Sequence, residues 1–405
     1  MSRPSRRAVL AQGSGALALA ATSAFAAPPG APDFPFPGGN GARPLTKDFP
    51  QKSTMVLQRS RPPLLETPFT DFDNQVFTPN DKFFVRWHWS VIPTQIDPVS
   101  YRLKLHGAVE REVSLSLSDL TSLKPVEVAA VNQCSGNSRG FFEPRVPGAQ
   151  WGNGGMGNAR WTGVRLSDVL DKASAKSNAV AVRFTGLDEP TVSEGPAFKK
   201  SLSIEHARQP EVILAYAMNG KPLPLLNGYP IRLIVPGWYS TYWIKTLNDI
   251  ELLEAPDDNY WMKTAYLIPD TPHADMKPGQ AGVSMVPINR MVPRSFITSV
   301  GGGAKLKANA AAALRGMAFG GDCGVAKVEL SGDGGQTWHD AKLSKDEGPY
   351  SFRQWTARIA MRGAGSAILA VRCTNTKGEM QPDISNWNPS GFMRNAVERV
   401  AVTLI

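Results

Sequence analysis

Cysteine and histidine are scarce, and neither is grouped. The 405 residues hold three cysteines, Cys134, Cys323 and Cys373, and five scattered histidines. Without C-x-x-C, H-E-x-x-H or any other tight cluster, a zinc site of ordinary ligand spacing is excluded. C-x-x-C-H is also missing, so no c-type haem is expected to be attached to this chain. Neither a Walker loop nor G-x-S-x-G occurs, which removes the phosphate cradle of a P-loop enzyme and the nucleophile elbow of a hydrolase. Past the N-terminus no apolar run is long enough to cross a bilayer. Dense Lys/Arg runs interleaved with aromatics are lacking too, so no nucleic-acid partner is expected.

What is present has the composition of a soluble globular protein, with 42% hydrophobic and 20% charged residues. The length favours two domains. Arg6 and Arg7 precede an alanine-rich, weakly apolar run ending Ala24-Phe25-Ala26. This reads as a twin-arginine export signal over residues 1–26, which implies a periplasmic protein exported folded. The segment holds Arg3, Arg6 and Arg7 and no acid, so its removal lowers the net charge from +9 to +6. A moderately basic mature chain suits an anionic substrate or an acidic partner.

Residues 27–66 open with "APPGAPDFPFPGGNG" and read as an extended Pro/Gly-rich arm. From 67 to 280, alternating stretches such as "SYRLKLHGAV" mix with the helically spaced "VRLSDVLDKA", an α+β pattern. From about Ala281 to 405, short strands separated by turn signals suggest a β-sandwich.

The informative thiol is Cys134, in "AAVNQCSGNSRGFF". Three roles are open to it: a packing residue, half of a disulfide, or a lone ligand to a metal that other groups also hold. Cys323 and Cys373 have the option of pairing with each other, which leaves Cys134 free. Its neighbours are amides, glycines and Arg139, a setting that favours a thiolate. "GNGGMG" (Gly152, Gly154, Gly157) satisfies G-x-G-x-x-G, yet "EPRVPGAQW" before it is no buried strand. It reads as a loop whose backbone passes close to something, not a nucleotide site. Arg86 in "FFVRWHW", with His88 two residues on, and Arg232 in "YPIRLIVPG" lie in apolar surroundings. A buried guanidinium needs a carboxylate from the chain or a bound anion. Together with a free thiol, the arginines suggest a phosphorylated, metal-bearing cofactor beside an oxyanion pocket.

The succession "FFVRWHW", "NQCSGNSRG", "ARWTGVRLSDVL", "LAYAMNGKPLP", "NGYPIRLIVPG" and "WMKTAY", followed by "VELSGDGGQTW", "QPDISNWNPSG" and "MRNAVERV", resembles the sulfite oxidase family of molybdenum enzymes. The resemblance implies a mixed molybdopterin-binding domain followed by an immunoglobulin-like dimerisation sandwich. It implies molybdenum on a pyranopterin dithiolene, with Cys134 as the one protein ligand. Arg86 and Arg139 then bind sulfite, with Tyr266 and Trp151 at the reacting centre. Phe84, His88, Asp188, Asn227, Arg232 and Lys245 correspond to positions near the pterin or its phosphate. Asn227 stands where vertebrate members carry histidine, and Ala265 where they carry an acid. The implied reaction oxidises sulfite to sulfate and passes electrons to a c-type cytochrome. The implied assembly is a homodimer or a heterodimer with a small haem subunit, with Arg394 a candidate for the haem-facing edge. The alternatives are another sulfur compound on the same metal, or a periplasmic anion-binding protein. Trp161 is assigned to the core, and His106, His206, His273 and His339 to surface or structural roles.

Overall fold

The computed structural model describes residues 31–73 and 75–405; the expected export signal lies outside them. Four strands, Leu45–Thr46, Met55–Arg59, Leu64–Glu66 and Val85–Arg86, form an antiparallel sheet in chain order. The expected arm over residues 27–66 is therefore corrected: its second half is folded structure. "TMVL" and "PLLE" supply buried Met55, Val56, Leu64 and Leu65, and the burial of these residues drives hairpin formation. The prolines and glycines that suggest an arm are concentrated before Arg43, where Phe36 packs edge-on against Phe141.

Two further sheets share one core. The first runs Lys199–Ser203, Ala181–Gly186, Leu247–Leu253, Arg102–Gly107, Val113–Ser116, with only Leu247–Leu253 and Arg102–Gly107 parallel. The second runs Lys221–Pro222, Ile213–Met218, Met156–Arg165, Val126–Gln133, with Arg232–Ile234 also on Ile213–Met218. The helix Leu166–Ala173 buries Leu166, Val169, Leu170 and Ala173, the spacing expected of an amphipathic helix. Trp161 is fully buried and donates from Nε1 to the Ala130 carbonyl at 3.0 Å, as its core assignment requires.

The C-terminal part is a sandwich of two sheets. One is Arg294–Ile297, Ala310–Phe319, Arg353–Met361 and Lys342–Leu343. The other is Lys305–Leu306, Glu398–Leu404, Gly365–Asn375, Val325–Ser331 and His339–Asp340. Leu314, Val328, Leu330, Trp355, Leu369 and Val371 fill the space between them. Cys373 is buried in this core and Cys323 is half-buried; both are free thiols, so the open disulfide is not formed. A hairpin of Leu267–Pro269 with Met285–Pro287 straddles the boundary expected at Ala281. The two parts touch extensively: Val131 N–H donates to Tyr350 O at 2.8 Å, and a cluster including Phe72, Met156, Tyr239 and Phe352 spans them.

Candidate active site

The strand Val126–Gln133 ends where Cys134 begins a tight turn. Cys134 N–H donates to Gly155 O at 2.9 Å, and its carbonyl accepts from Asn137 N–H at 2.9 Å. Ser138 takes a left-handed conformation at φ 69°, and the chain turns into the short Arg139–Phe141 helix. The glycine loop lies alongside for a specific reason. Buried Glu66 accepts from Gly152 N–H at 3.1 Å and Gly154 N–H at 2.8 Å, and a Cβ on Gly154 would overlap the Thr67 carbonyl. The loop thus wraps an internal carboxylate, and the nucleotide reading stays rejected. Burial pushes that carboxyl up to about 7, against the pull of the two backbone donors and Gln58.

Cys134 opens onto a cavity whose wall includes Phe84, Arg86, His88, Asn227, Arg232, Lys245 and Tyr266. Arg86, His88 and Arg232 are singled out by their sequence surroundings, and Phe84, Asn227, Lys245 and Tyr266 by the family resemblance. Arg86 closes the first sheet opposite Leu64, and its buried Nη1 has no hydrogen-bond partner among the described residues. The His88 ring stacks on Phe198, and its Nε2 shares a 2.5 Å hydrogen bond with Tyr266 Oη. Burial, then the charges of Arg86, Lys245 and Lys200, hold His88 well below its usual range, so its ring is neutral. Tyr266 sits at φ 58°, unusual for a bulky residue, with its ring parallel to Phe392.

Arg232 is buried and donates to Asn227 O at 2.9 Å and Trp243 O at 3.3 Å, with Nε unpartnered. Burial brings it down to about 9. Carbonyls, not a carboxylate, hold this guanidinium, so its positive charge is uncompensated. Lys245 lies 4.4 Å above the Trp87 ring and is lowered by burial to about 7, with Asp188 opposing. Asp188 is raised by burial, opposed by Lys245 and Arg86.

Three expected residues stand back from the cavity wall. Asp188 is buried behind it, and Trp151 is fully buried, its carbonyl accepting from Gly140 N–H at 3.1 Å. Arg139 is buried between backbone carbonyls, with Nε on Ser390 O and Nη1 on Ala149 O, both at 3.2 Å. Asn227 is on the wall, but its amide is already engaged. It accepts from Lys52 Nζ at 2.6 Å and donates to Phe84 O at 3.0 Å. Arg394 is mostly buried, ion-paired to Glu398 at 3.1 Å with its guanidinium over Phe141.

Other cavity residues escaped notice in the sequence. Phe198 and Thr241 line the wall, and buried Lys200 approaches the Tyr242 ring at 4.6 Å and the Tyr266 ring at 5.6 Å. Lys52 is buried under the wall and donates to three oxygens. A lysine inside an alternating strand, as in "FKKSLS", is the available signal for Lys200. Lys52 carries no such signal.

A family model described as "Oxidoreductase molybdopterin binding domain" matches residues 89–261, and one described as "Mo-co oxidoreductase dimerisation domain" matches 286–405. The chain is 31% identical to mitochondrial sulfite oxidase of Mus musculus over 91% of this chain and 69% of that protein. It belongs to the sulfite oxidase family. Its identity to mitochondrial sulfite oxidase of Homo sapiens is 32%, over 89% of this chain and 67% of that one. With the sulfite oxidase of Arabidopsis thaliana it is 28%, over 91% and 98%. It spans 64% of the Drosophila melanogaster enzyme it also matches. The sulfane dehydrogenase SoxCD from Paracoccus pantotrophus shares the fold, at TM-score 0.69 and 22% identity, over 85% of this chain and 87% of that one.

This sulfite oxidase-family chain is an oxidoreductase with an α+β molybdopterin-binding domain and a dimerisation domain, and its cofactor is molybdenum on molybdopterin. The residues fit that group. No set of three His, Cys, Asp or Glu able to hold a metal occurs among the described residues, so a metal at Cys134 must bring its other ligands with it. A dithiolene does so, and soft thiolate suits it. Arg86 and Arg232 line the cavity with Cys134 and carry buried nitrogens with no partner among the described residues, which a bound anion would satisfy.

Proposed function

We propose that this chain oxidises sulfite to sulfate and passes the electrons to a c-type cytochrome, after export to the periplasm through the twin-arginine route. The observation that carries the reading is a free, buried thiol opening onto a cavity walled by Arg86 and Arg232, whose buried guanidinium nitrogens include ones with no partner among the described residues. Bound molybdenum supplies oxygen-atom transfer and holds the two electrons released. Cys134 would hold it, and Arg232 and Lys245 would meet the negative charge of the pterin phosphate. The protein's own task is to gather and orient a small dianion. Arg86 offers it a guanidinium nitrogen with no competing partner. Tyr266 Oη is fixed by neutral His88, which lets the phenol direct a hydrogen bond at the bound anion without adding a charge. Arg139 adds long-range positive potential from behind the wall.

The partner in this reading is a second copy of the chain or a small haem subunit, with a c-type cytochrome as acceptor. The test is metal and pterin analysis together with sulfite-driven cytochrome c reduction, on the wild type and on Cys134→Ser. Stoichiometric molybdenum and turnover in the wild type, with both lost in the variant, are expected. A molybdenum-loaded wild type that ignores sulfite but oxidises another sulfur compound would overturn the choice of substrate.

A further inference from the structure

The turn from Asn388 to Met393 belongs to the C-terminal sandwich but is built into the catalytic site. Asn388 shapes it, accepting from Phe392 N–H at 3.0 Å and donating to Phe392 O and Ala274 O, each at 3.0 Å. Gly391 takes φ 60°, and a Cβ there would approach Arg139 Cγ to 2.8 Å and overlap Val146. The turn then makes contacts that converge on the cavity. Ser390 O accepts from Arg139 Nε at 3.2 Å, and Met393 N–H donates to Ser135 O at 3.1 Å, one residue past Cys134. The Phe392 ring lies 5.2 Å from the Arg139 guanidinium and stacks on Tyr266 at 5.4 Å with an interplanar angle of 3°.

We propose that this turn is a positioning element for the anion pocket: Ser390 and Phe392 set the place of Arg139 and Tyr266, so oxyanion affinity depends on how the C-terminal domain is seated. Among the described residues no carboxylate anchors Arg139, and its long side chain would otherwise sample many rotamers. Two carbonyls and one aromatic face select a single arrangement, and one of those carbonyls and the face come from the turn. Tyr266 holds a backbone conformation disfavoured for its residue type, and the parallel Phe392 ring packs against it there. The proposal rests on the reading that both residues act on a bound oxyanion.

The experiment uses molybdenum-loaded full-length protein carrying Phe392→Leu, with Phe392→Met as the milder variant and Ile368→Ala, exposed on the sandwich, as control. Three quantities are measured: the sulfite KM and kcat, the dissociation constant for sulfate by calorimetry, and the crystal structure. Loss of one desolvated cation–π contact predicts a KM and a sulfate dissociation constant raised about 3- to 30-fold. The Arg139 guanidinium is expected to leave its place between Ser390 and Ala149, with the control unchanged. An Arg139 that stays put, with sulfate affinity within twofold of wild type, would overturn the proposal. Should the wild type fail to oxidise sulfite, the functional reading falls, while the position of Arg139 in the variant crystal still decides this one.

Discussion

Arg86 carries a buried nitrogen with no hydrogen-bond partner among the described residues, a position that a bound anion or water would complete. A charge-assisted hydrogen bond contributes on the order of 1.5–3 kcal/mol, about 10- to 100-fold in affinity. Arg86→Gln is therefore expected to raise the sulfite KM by that factor while molybdenum content stays at the wild-type level. Steady-state kinetics with metal analysis checks it; an unchanged KM would remove Arg86 from substrate binding. Cys134 belongs to the same scale with the opposite signature, since its change to serine is expected to cost the metal itself. The residue scale is also where the sequence was most legible. Cys134, Arg86 and Arg232 are chemically out of place in their surroundings, and being out of place is visible without coordinates. Lys52 was not, because nothing in "DFPQKSTMV" indicates that its ammonium is buried 2.6 Å from Asn227. Phe392 was not singled out either, and it is the fold that brings it to Tyr266.

Elements explain why the loop beside Cys134 keeps its glycines. Glu66 ends a strand of the first sheet and receives the backbone of the 152–154 loop, so the sheet and the loop are locked by one carboxyl. A folded-state pKa raised to about 7 from 4.5 means that the native protein binds this proton more tightly than the unfolded chain does. The linkage sign follows: the stabilising contribution is complete below about 4.5, falls as pH rises towards about 7, and is flat above. The full span is on the order of 3 kcal/mol. Glu66→Gln loses one acceptor and is destabilised overall, but it has no such slope. The wild-type minus variant difference in unfolding free energy should therefore shrink between about pH 4.5 and 7, as measured by denaturant titration. A difference independent of pH would mean that folding does not raise the Glu66 pKa. Strand composition revealed neither this sheet nor its carboxylate, because the strands are only two to five residues long and stand next to a proline-rich tract. Longer elements such as Arg102–Gly107 and Leu166–Ala173 were legible because their periodicity persists over more residues.

At the scale of the whole molecule, the two domains share a core rather than a loose interface. Phe352, from the sandwich, is 1% exposed and meets Phe72 edge-on at 5.9 Å and Phe319 at 5.7 Å. Its neighbours extend the grip: Ser351 Oγ accepts from Asn158 Nδ2 at 2.9 Å, and Tyr350 O holds Val131, on the strand that delivers Cys134. Chains of two domains commonly unfold in separate steps. Here the seam contains buried aromatic packing and buried hydrogen bonds, so opening it exposes core on both sides. Phe352→Ala is expected to cost about 3–5 kcal/mol, as for other large-to-small changes in a packed interior. Scanning calorimetry should show one transition for the wild type and one, several degrees lower, for the variant. Two resolved transitions, with only the sandwich component displaced, would mean that the molybdopterin-binding domain does not depend on its neighbour for stability. A single displaced transition would tie the stability of the strand that leads to Cys134 to a residue more than two hundred positions away in the chain.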